Sequence, residues 1–317
     1  MKALALDMGG SHVGCAVIEE NRILSHHVLE VEKAPSLSAL LEPLARTLRG
    51  LLQSAGLAAA DCVGIAIGFP GIVDFRTGKI HDTLKKYEDA REMDIVGWCR
   101  EKFHLPLAME NDARMALLGE AFAGAARGYQ DVTMMTLGTG IGGAALMHGS
   151  LVRGKHAQAG CLGGHLPVDF NGRLCVCGNI GCAEAEAGGW AIPAIAREWP
   201  EFEHSALAGI TTLGFREIFA AAECGDAVAI ALRDRCIRVW SSNVVANIHA
   251  YDPDIVVVGG GVMQSASVII PRMQEYVNRH AWSGWGKPEV RAASLGNEAG
   301  LLGAVPLLRE VIDETKV

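Results

Sequence analysis

The chain has 317 residues, half of them hydrophobic and only 20% charged, which allows a large buried core and suits two domains of about 150 residues each. Its net charge is −8 and no basic stripe appears, which argues against a nucleic-acid partner. No apolar run reaches the roughly 18 residues that a membrane span needs, and the N-terminus lacks the charged, apolar and small-residue succession of a signal peptide, so the expected location is the cytoplasm.

In chain order, residues 2–7 read as a strand that ends in Asp7-Met8-Gly9-Gly10-Ser11. Strands follow at about 12–18 and 23–31, separated by the turn Glu19-Glu20-Asn21-Arg22. Leu37, Leu40, Leu41, Leu44, Leu48 and Leu51 recur at helical spacing over 36–52. Val63 to Ile67 is a fully apolar strand that runs into Gly68-Phe69-Pro70-Gly71. A helix is expected over 94–103, a short strand over 107–109, and a helix from 113 to about 125. The opening pattern then recurs about 130 residues on: strand 132–137, glycine loop 138–143, strand 144–147, tight turn, strand. Tandem domains of one architecture would produce this, although such patterns also arise by chance in α/β proteins. Residues 154–189 are loop-rich. A long helix over about 227–250 feeds a buried strand at 255–258, and helices close the chain at about 266–280 and 297–313. Strands alternating with helices indicate an α/β protein. The expected domains are 1–115, onto which the helix 297–317 folds back, and 116–296, which carries the loop-rich segment.

Nine cysteines are present. An odd number in a cytosolic chain favours buried thiols plus a metal site over a disulfide framework. Six lie in mostly apolar stretches, whereas Cys175, Cys177 and Cys182 cluster after His165 with the spacing H-x9-C-x-C-x4-C. Three thiolates and an imidazole form a tetrahedral structural zinc set, and the intervening Asn171-Gly172, Gly178-Asn179 and Gly181 are turn formers. Buried thiols beside an unrelated histidine are the plainer alternative.

Asn111-Asp112 lies between a strand and a helix. Both residue types are good helix N-caps. A carboxylate at the C-terminal end of a strand is also where α/β proteins place ligands, and it can take a hydroxyl proton as general base. The two roles are compatible. Gly138-x-Gly140-x-x-Gly143 matches a dinucleotide fingerprint, but a hairpin follows it and no acidic residue occurs between Asp131 and Asp169, so a nicotinamide cofactor is rejected. No P-loop segment occurs either. What remains are glycine turns after strands, at 9–10, 138–143 and 259–261, which offer backbone N–H groups to phosphates. Asp7 is placed to hold a water-coordinated Mg²⁺.

Asp7 to Ser11, Glu110-Asn111-Asp112, Leu137 to Gly143, Gly164-His165, Cys175-x-Cys177-Gly178-x-x-Gly181-Cys182-x-Glu184, and Asp252-Pro253 with Val258 to Val262 together resemble the ROK family of sugar kinases and sugar-responsive repressors. The resemblance covers nearly the whole chain in order. It implies a two-domain actin-like ATPase (ribonuclease H-like) α/β fold with a cleft and a zinc-binding loop. It also implies ATP and Mg²⁺ as cofactors, a structural Zn²⁺, a sugar substrate and a homodimer. By it Asp112 is the catalytic base, Asn111, His165 and Glu184 join Asp112 in binding the sugar, and His165 serves the zinc as well. Gly9, Gly10 and Ser11 with Asp7, and Gly138, Thr139 and Gly140, flank the phosphates, while Gly259, Gly260 and Gly261 lie against the adenosine.

One position departs from the family pattern. A Glu is usual three residues before the zinc histidine, and here that position is Leu162. Losing this carboxylate costs on the order of 1–3 kcal/mol of sugar binding if nothing replaces it. Arg114, where the family often has Asn, reads as an exposed helix residue or a further substrate contact, and the exposed reading is favoured. The function these features imply is an ATP-dependent hexokinase acting on a 6-hydroxyl, with glucose as the default sugar and N-acetylmannosamine, allose and fructose open. A repressor is disfavoured, because the first strand begins at residue 2 and leaves no room for a helix-turn-helix domain. A sugar-binding relative with weak or no kinase activity is the alternative that Leu162 suggests.

Overall fold

The computed structural model of the protein describes residues 1–9, 12–31, 36–83 and 87–314. Gly10 and Ser11 of the first glycine turn therefore lie outside the described residues. The chain divides into two compact units, one of Met1–Gly128, Leu151–Cys161 and Ser294–Val317, the other of Tyr129–Ser150 and Leu162–Ala293. The expected boundary at 115/116 falls inside the helix Asp112–Ala123, which stays whole in the first unit. Among the described residues no helix is long and apolar enough to cross a membrane.

The first unit is built on strands β1 (Lys2–Met8), β2 (His12–Glu19), β3 (Arg22–Glu30), β4 (Ile65–Phe69) and β7 (Leu107–Asn111), with a hairpin of β5 (Ile72–Asp74) and β6 (Lys79–Asp82) beside them. The five-stranded sheet runs β3-β2-β1-β4-β7; β1 is antiparallel to β2 and parallel to β4, which is parallel to β7. Leu4, Leu6, Ile65, Ile67 and Met109 bury one core with Leu44 and Leu48 of the helix Leu37–Ser54. That helix starts where the Ser36 hydroxyl accepts a bond from the Ala39 N–H at 3.3 Å, the standard way to satisfy an orphan donor of the first turn.

The second unit repeats the plan. Strands β8 (Val132–Leu137), β9 (Ile141–Met147), β10 (Ser150–Leu151), β11 (Ile255–Gly259) and β12 (Glu289–Ala292) form a sheet of order β10-β9-β8-β11-β12. Here too the first strand is antiparallel to the second and parallel to the fourth. The two sheets therefore share one order, third-second-first-fourth-fifth, which is the duplication that the repeated strand and glycine-loop pattern suggested. Val256 and Val258 pack with Ile218, Phe219, Ile269 and Trp240 in this unit's core. Trp240 is fully buried, whereas Trp282 and Trp285 are exposed.

Candidate active site

In the first unit the parallel strands end side by side. Asp7 of β1 is level with Gly68 of β4, and Gly68 with Glu110 of β7. The chain ends of such strands are where an open α/β sheet presents ligand-binding groups. Asp7 is half-buried and lies under Gly300, where a Cβ would stand 2.5 Å from its Oδ2. Burial pushes its carboxyl up to about 7, and the neighbouring Asp112 carboxylate adds to the shift. Gly9 closes a tight turn, its N–H donating to the His12 carbonyl at 2.9 Å, while the Tyr87 hydroxyl donates to the Gly9 carbonyl.

Asn111 and Asp112 divide their labour as the sequence allows. The Asn111 Oδ1 accepts from the N–H groups of Ala113 (3.1 Å) and Arg114 (3.2 Å) and so caps the helix Asp112–Ala123. Its Nδ2 donates to the Gly71 carbonyl at 3.1 Å and to Asp112 Oδ1 at 2.9 Å. Asp112, the first helical residue, also accepts from the Ala113 N–H at 2.9 Å. The Asn111 amide and the Ala113 N–H thus both hold Oδ1 at the start of the helix.

Arg114 is not exposed, contrary to expectation. It is fully buried, and its Nη1 donates to Glu110 Oε1 at 3.0 Å and to the Ala157 carbonyl at 3.2 Å. Its Nη2 donates to the carbonyls of Val152 (3.1 Å) and Ala159. The other Glu110 oxygen accepts from Arg153 Nε at 2.6 Å, and Arg153 is also paired with Glu310. Glu110 Oε1 further accepts from the Asn111 N–H at 2.8 Å. A buried Glu–Arg–Arg network thus fixes the start of the Asp112 helix. The sequence reading missed Glu110, Arg114 and Arg153. A signal was there, because Arg114 shares a helix face with Leu117 and Leu118, which are both buried.

In the second unit the expected metal ligands converge. The donor atoms of His165, Cys175, Cys177 and Cys182 all lie within 4.8 Å of one another. His165 Nδ1 is 3.5 Å from Cys175 Sγ, and Cys177 Sγ is 3.6 Å from Cys182 Sγ. A tetrahedral zinc with bonds near 2.3 Å spaces its ligands about 3.8 Å apart, so this donor set fits the ion. Gly181 makes the fold-back possible. Its φ is +69°, and a Cβ there would stand 1.5 Å from the Asp169 carbonyl.

The zinc loop leads straight to the second glycine loop. Cys182 precedes the short helix Ala183–Ala187. Glu184 Oε2 accepts from the Ile141 N–H at 2.8 Å, and Oε1 from the Trp190 indole at 3.1 Å. The backbone adds two bonds: Gly189 N–H donates to the Gly138 carbonyl and Trp190 N–H to that of Thr139. A Cβ at Gly140 would come within 2.5 Å of Glu184 Oε2, so a side chain there would displace this carboxylate. Gly138 and Gly261 line one cavity of about 390 Å³ with Phe215, Phe219, Val262 and Gln264. Gly259 and Gly260 do not line it; they pack on Met134 and on the Leu137 carbonyl.

A model of the ROK family matches residues 3–311. The chain belongs to the ROK family. It is 31% identical to a glucokinase of Thermotoga maritima over 98% of both chains, and 28% identical to an N-acetylgalactosamine kinase of Shewanella over 95% of both. Among solved structures, a ROK hexokinase from Thermus thermophilus superposes with a TM-score of 0.81 at 31% identity over 99% of this chain and 100% of that one. A ROK glucokinase from Streptomyces griseus in complex with glucose and AMPPNP gives 0.81 at 29% identity, over 98% and 100%. The fold is accordingly the actin-like ATPase fold of the ROK kinases.

Proposed function

We propose that this ROK-family sugar kinase moves the γ-phosphoryl group of ATP to a hexose hydroxyl, with Asp112 as the general base and glucose as the default sugar. The observation that carries this reading is the Asn111-Asp112 pair: Asn111 caps the helix and holds Asp112 Oδ1, so the carboxyl group is fixed at a strand end. Phosphoryl transfer asks for positioning and charge stabilisation more than covalent chemistry, and a fixed carboxylate accepts the proton that leaves the attacking hydroxyl.

Further residues take roles by the same logic. Asn111, His165 and Glu184 would hold the sugar. His165 turns Nδ1 toward Cys175, which leaves Nε2 for a hydroxyl. Glu184 already takes two N–H bonds, yet a carboxylate has about four acceptor positions, so it can receive a sugar hydroxyl and still anchor the loop at Ile141. The backbone of Gly138 to Gly140 faces phosphate, the cavity bordered by Gly138 and Gly261 takes the adenosine, and Gly9, Gly10 and Ser11 complete the phosphate contacts. Gly259 and Gly260 would shape that turn from behind. Zinc would be held by His165, Cys175, Cys177 and Cys182 as a structural ion. Mg²⁺ would sit by Asp7 through water and supply charge neutralisation on the phosphates. A homodimer in the cytoplasm completes the proposal; light scattering checks the assembly.

Leu162 supports a second reading, sugar binding with little transfer. It is half-buried, and its side chain brings no acceptor to the turn Gly163–His165. Coupled ADP release from Mg²⁺-ATP over a panel of hexoses and N-acetylhexosamines separates the two. A sugar that drives release names the substrate. Sugar binding with no release from zinc-loaded protein would reject the kinase reading in favour of the second.

A further inference from the structure

The first unit has a second cavity, of about 380 Å³, between the β5–β6 hairpin and residues 153–158. Its lining includes Phe75, Arg76, His81, Arg153, Lys155 and His156, and none of the residues assigned above to sugar, nucleotide or metal. On a chain with a net charge of −8, the gathering of Arg76, Arg153 and Lys155 stands out. The one carboxylate in the wall, Asp74, is committed to its own turn: Oδ1 accepts from the Arg76 N–H at 3.1 Å and Oδ2 from the Thr77 hydroxyl at 2.9 Å. Arg153 forms the floor. It is 8% exposed, and its guanidinium carbon lies 3.9 Å from the centre of the Phe75 ring. Three of its five N–H groups are used, one on Glu110 and two on Glu310, which leaves one on each terminal nitrogen. Glu110 and Glu310 offset its charge, so Arg76 and Lys155 set the sign of the cavity.

We propose that this cavity is a binding site for a phosphate-bearing anion, separate from the nucleotide site. A fork of N–H donors at the floor and mobile point charges at the rim match the several oxygens of a phosphoryl group. The volume admits a monosaccharide phosphate as well as free phosphate. The site also has a route to the catalytic carboxylate. An anion that draws on Arg153 competes with Glu110, whose Oε1 holds the Asn111 N–H at 2.8 Å. The coupling to catalysis rests on the reading of Asp112 given above; the binding does not.

The test is a calorimetric titration of inorganic phosphate, and in parallel of a hexose 6-phosphate, into the full chain saturated with a non-hydrolysable ATP analogue. The double variant Arg76→Glu, Lys155→Glu is run alongside, with Arg76→Gln, Lys155→Gln as the milder pair. The expected result is one site per chain that persists under the analogue, weakens by roughly tenfold or more on charge reversal, and leaves ADP release without added anion unchanged. Tighter binding of the sugar phosphate than of phosphate would assign the ligand as a phosphorylated sugar, and equal binding would assign free phosphate. Displacement of phosphate by the analogue, unchanged affinity in both variants, or no binding at millimolar concentrations would overturn the proposal. If wild-type protein releases no ADP with any sugar, the kinase reading fails while the titration still decides this one.

Discussion

Replacing Arg114 by Met keeps the length and apolar stem of the side chain and deletes its charge and donors. Glu110, fully buried, would then face Arg153 alone, and the carbonyls of Val152, Ala157 and Ala159 would each lose a donor. Breaking a buried ion pair by removing one partner costs about 3–5 kcal/mol, and each stranded carbonyl adds about 1–3 kcal/mol where water does not reach it. The low ends sum to about 6 kcal/mol, a large part of the roughly 5–15 kcal/mol that holds a domain together. At about 2–4 °C per kcal/mol for a unit of this size, the melting temperature should fall by at least about 12 °C. Circular dichroism at a fixed scan rate measures this. Arg114→Lys keeps the charge but not the planar fork, so it should recover only part of the loss. Because Asn111 opens the catalytic helix one residue after Glu110, kcat should fall in the folded Met variant too. A melting temperature within about 2 °C of wild type would refute the reasoning.

Other outcomes follow from the same contacts. Atomic absorption should find one zinc per chain, and Cys182→Ser should lose it and melt earlier, since the buried Cys182 both ligates and opens the helix that bears Glu184. Trp190→Phe removes the indole N–H that Glu184 Oε1 accepts, so it should cost about 1 kcal/mol, seen as a several-fold rise in KM for the sugar that Glu184 is proposed to hold. The raised Asp7 carboxyl, at about 7, sets a pH dependence with a definite sign. A folded value above the ordinary 3.8 means that without metal the folded state is progressively disfavoured as pH rises from about 4 to about 7. Mg²⁺ needs the anion, so its affinity should be roughly tenfold weaker at pH 6 than at pH 8. Asp7→Asn should abolish both trends in calorimetry and melting.

The local grammar of the chain is what made much of it readable. Ser36, Asn111 and Asp226 each cap a helix that was expected from the sequence, and β8 runs from 132 to 137 as its apolar run suggests. The convergence of His165, Cys175, Cys177 and Cys182 was legible because four donors within a short turn-rich segment have few other uses. β12 was not legible: Glu289-Val290-Arg291-Ala292 is too short and too charged to read as a strand, and it is one only because β11 pairs with it. The β5–β6 hairpin was hidden for a similar reason. Arg114 was misjudged because a charge on a helix is normally solvated. What reverses the rule is Glu110, placed beside it by the strand that precedes the helix, together with carbonyls some 40 positions away in sequence. Nothing local announces such partners.

The central claim is that Asp112 takes the proton from the sugar hydroxyl, and it is tested most directly by single-turnover phosphoryl transfer in Asp112→Asn beside calorimetric binding of the same sugar. The substitution is nearly isosteric and keeps an acceptor at the Oδ1 position for the Ala113 N–H, so the helix start should survive. The account predicts near-unchanged sugar affinity and a fall in transfer of about 10²–10⁴-fold. Transfer within a few-fold of wild type, with the sugar still bound, would contradict it.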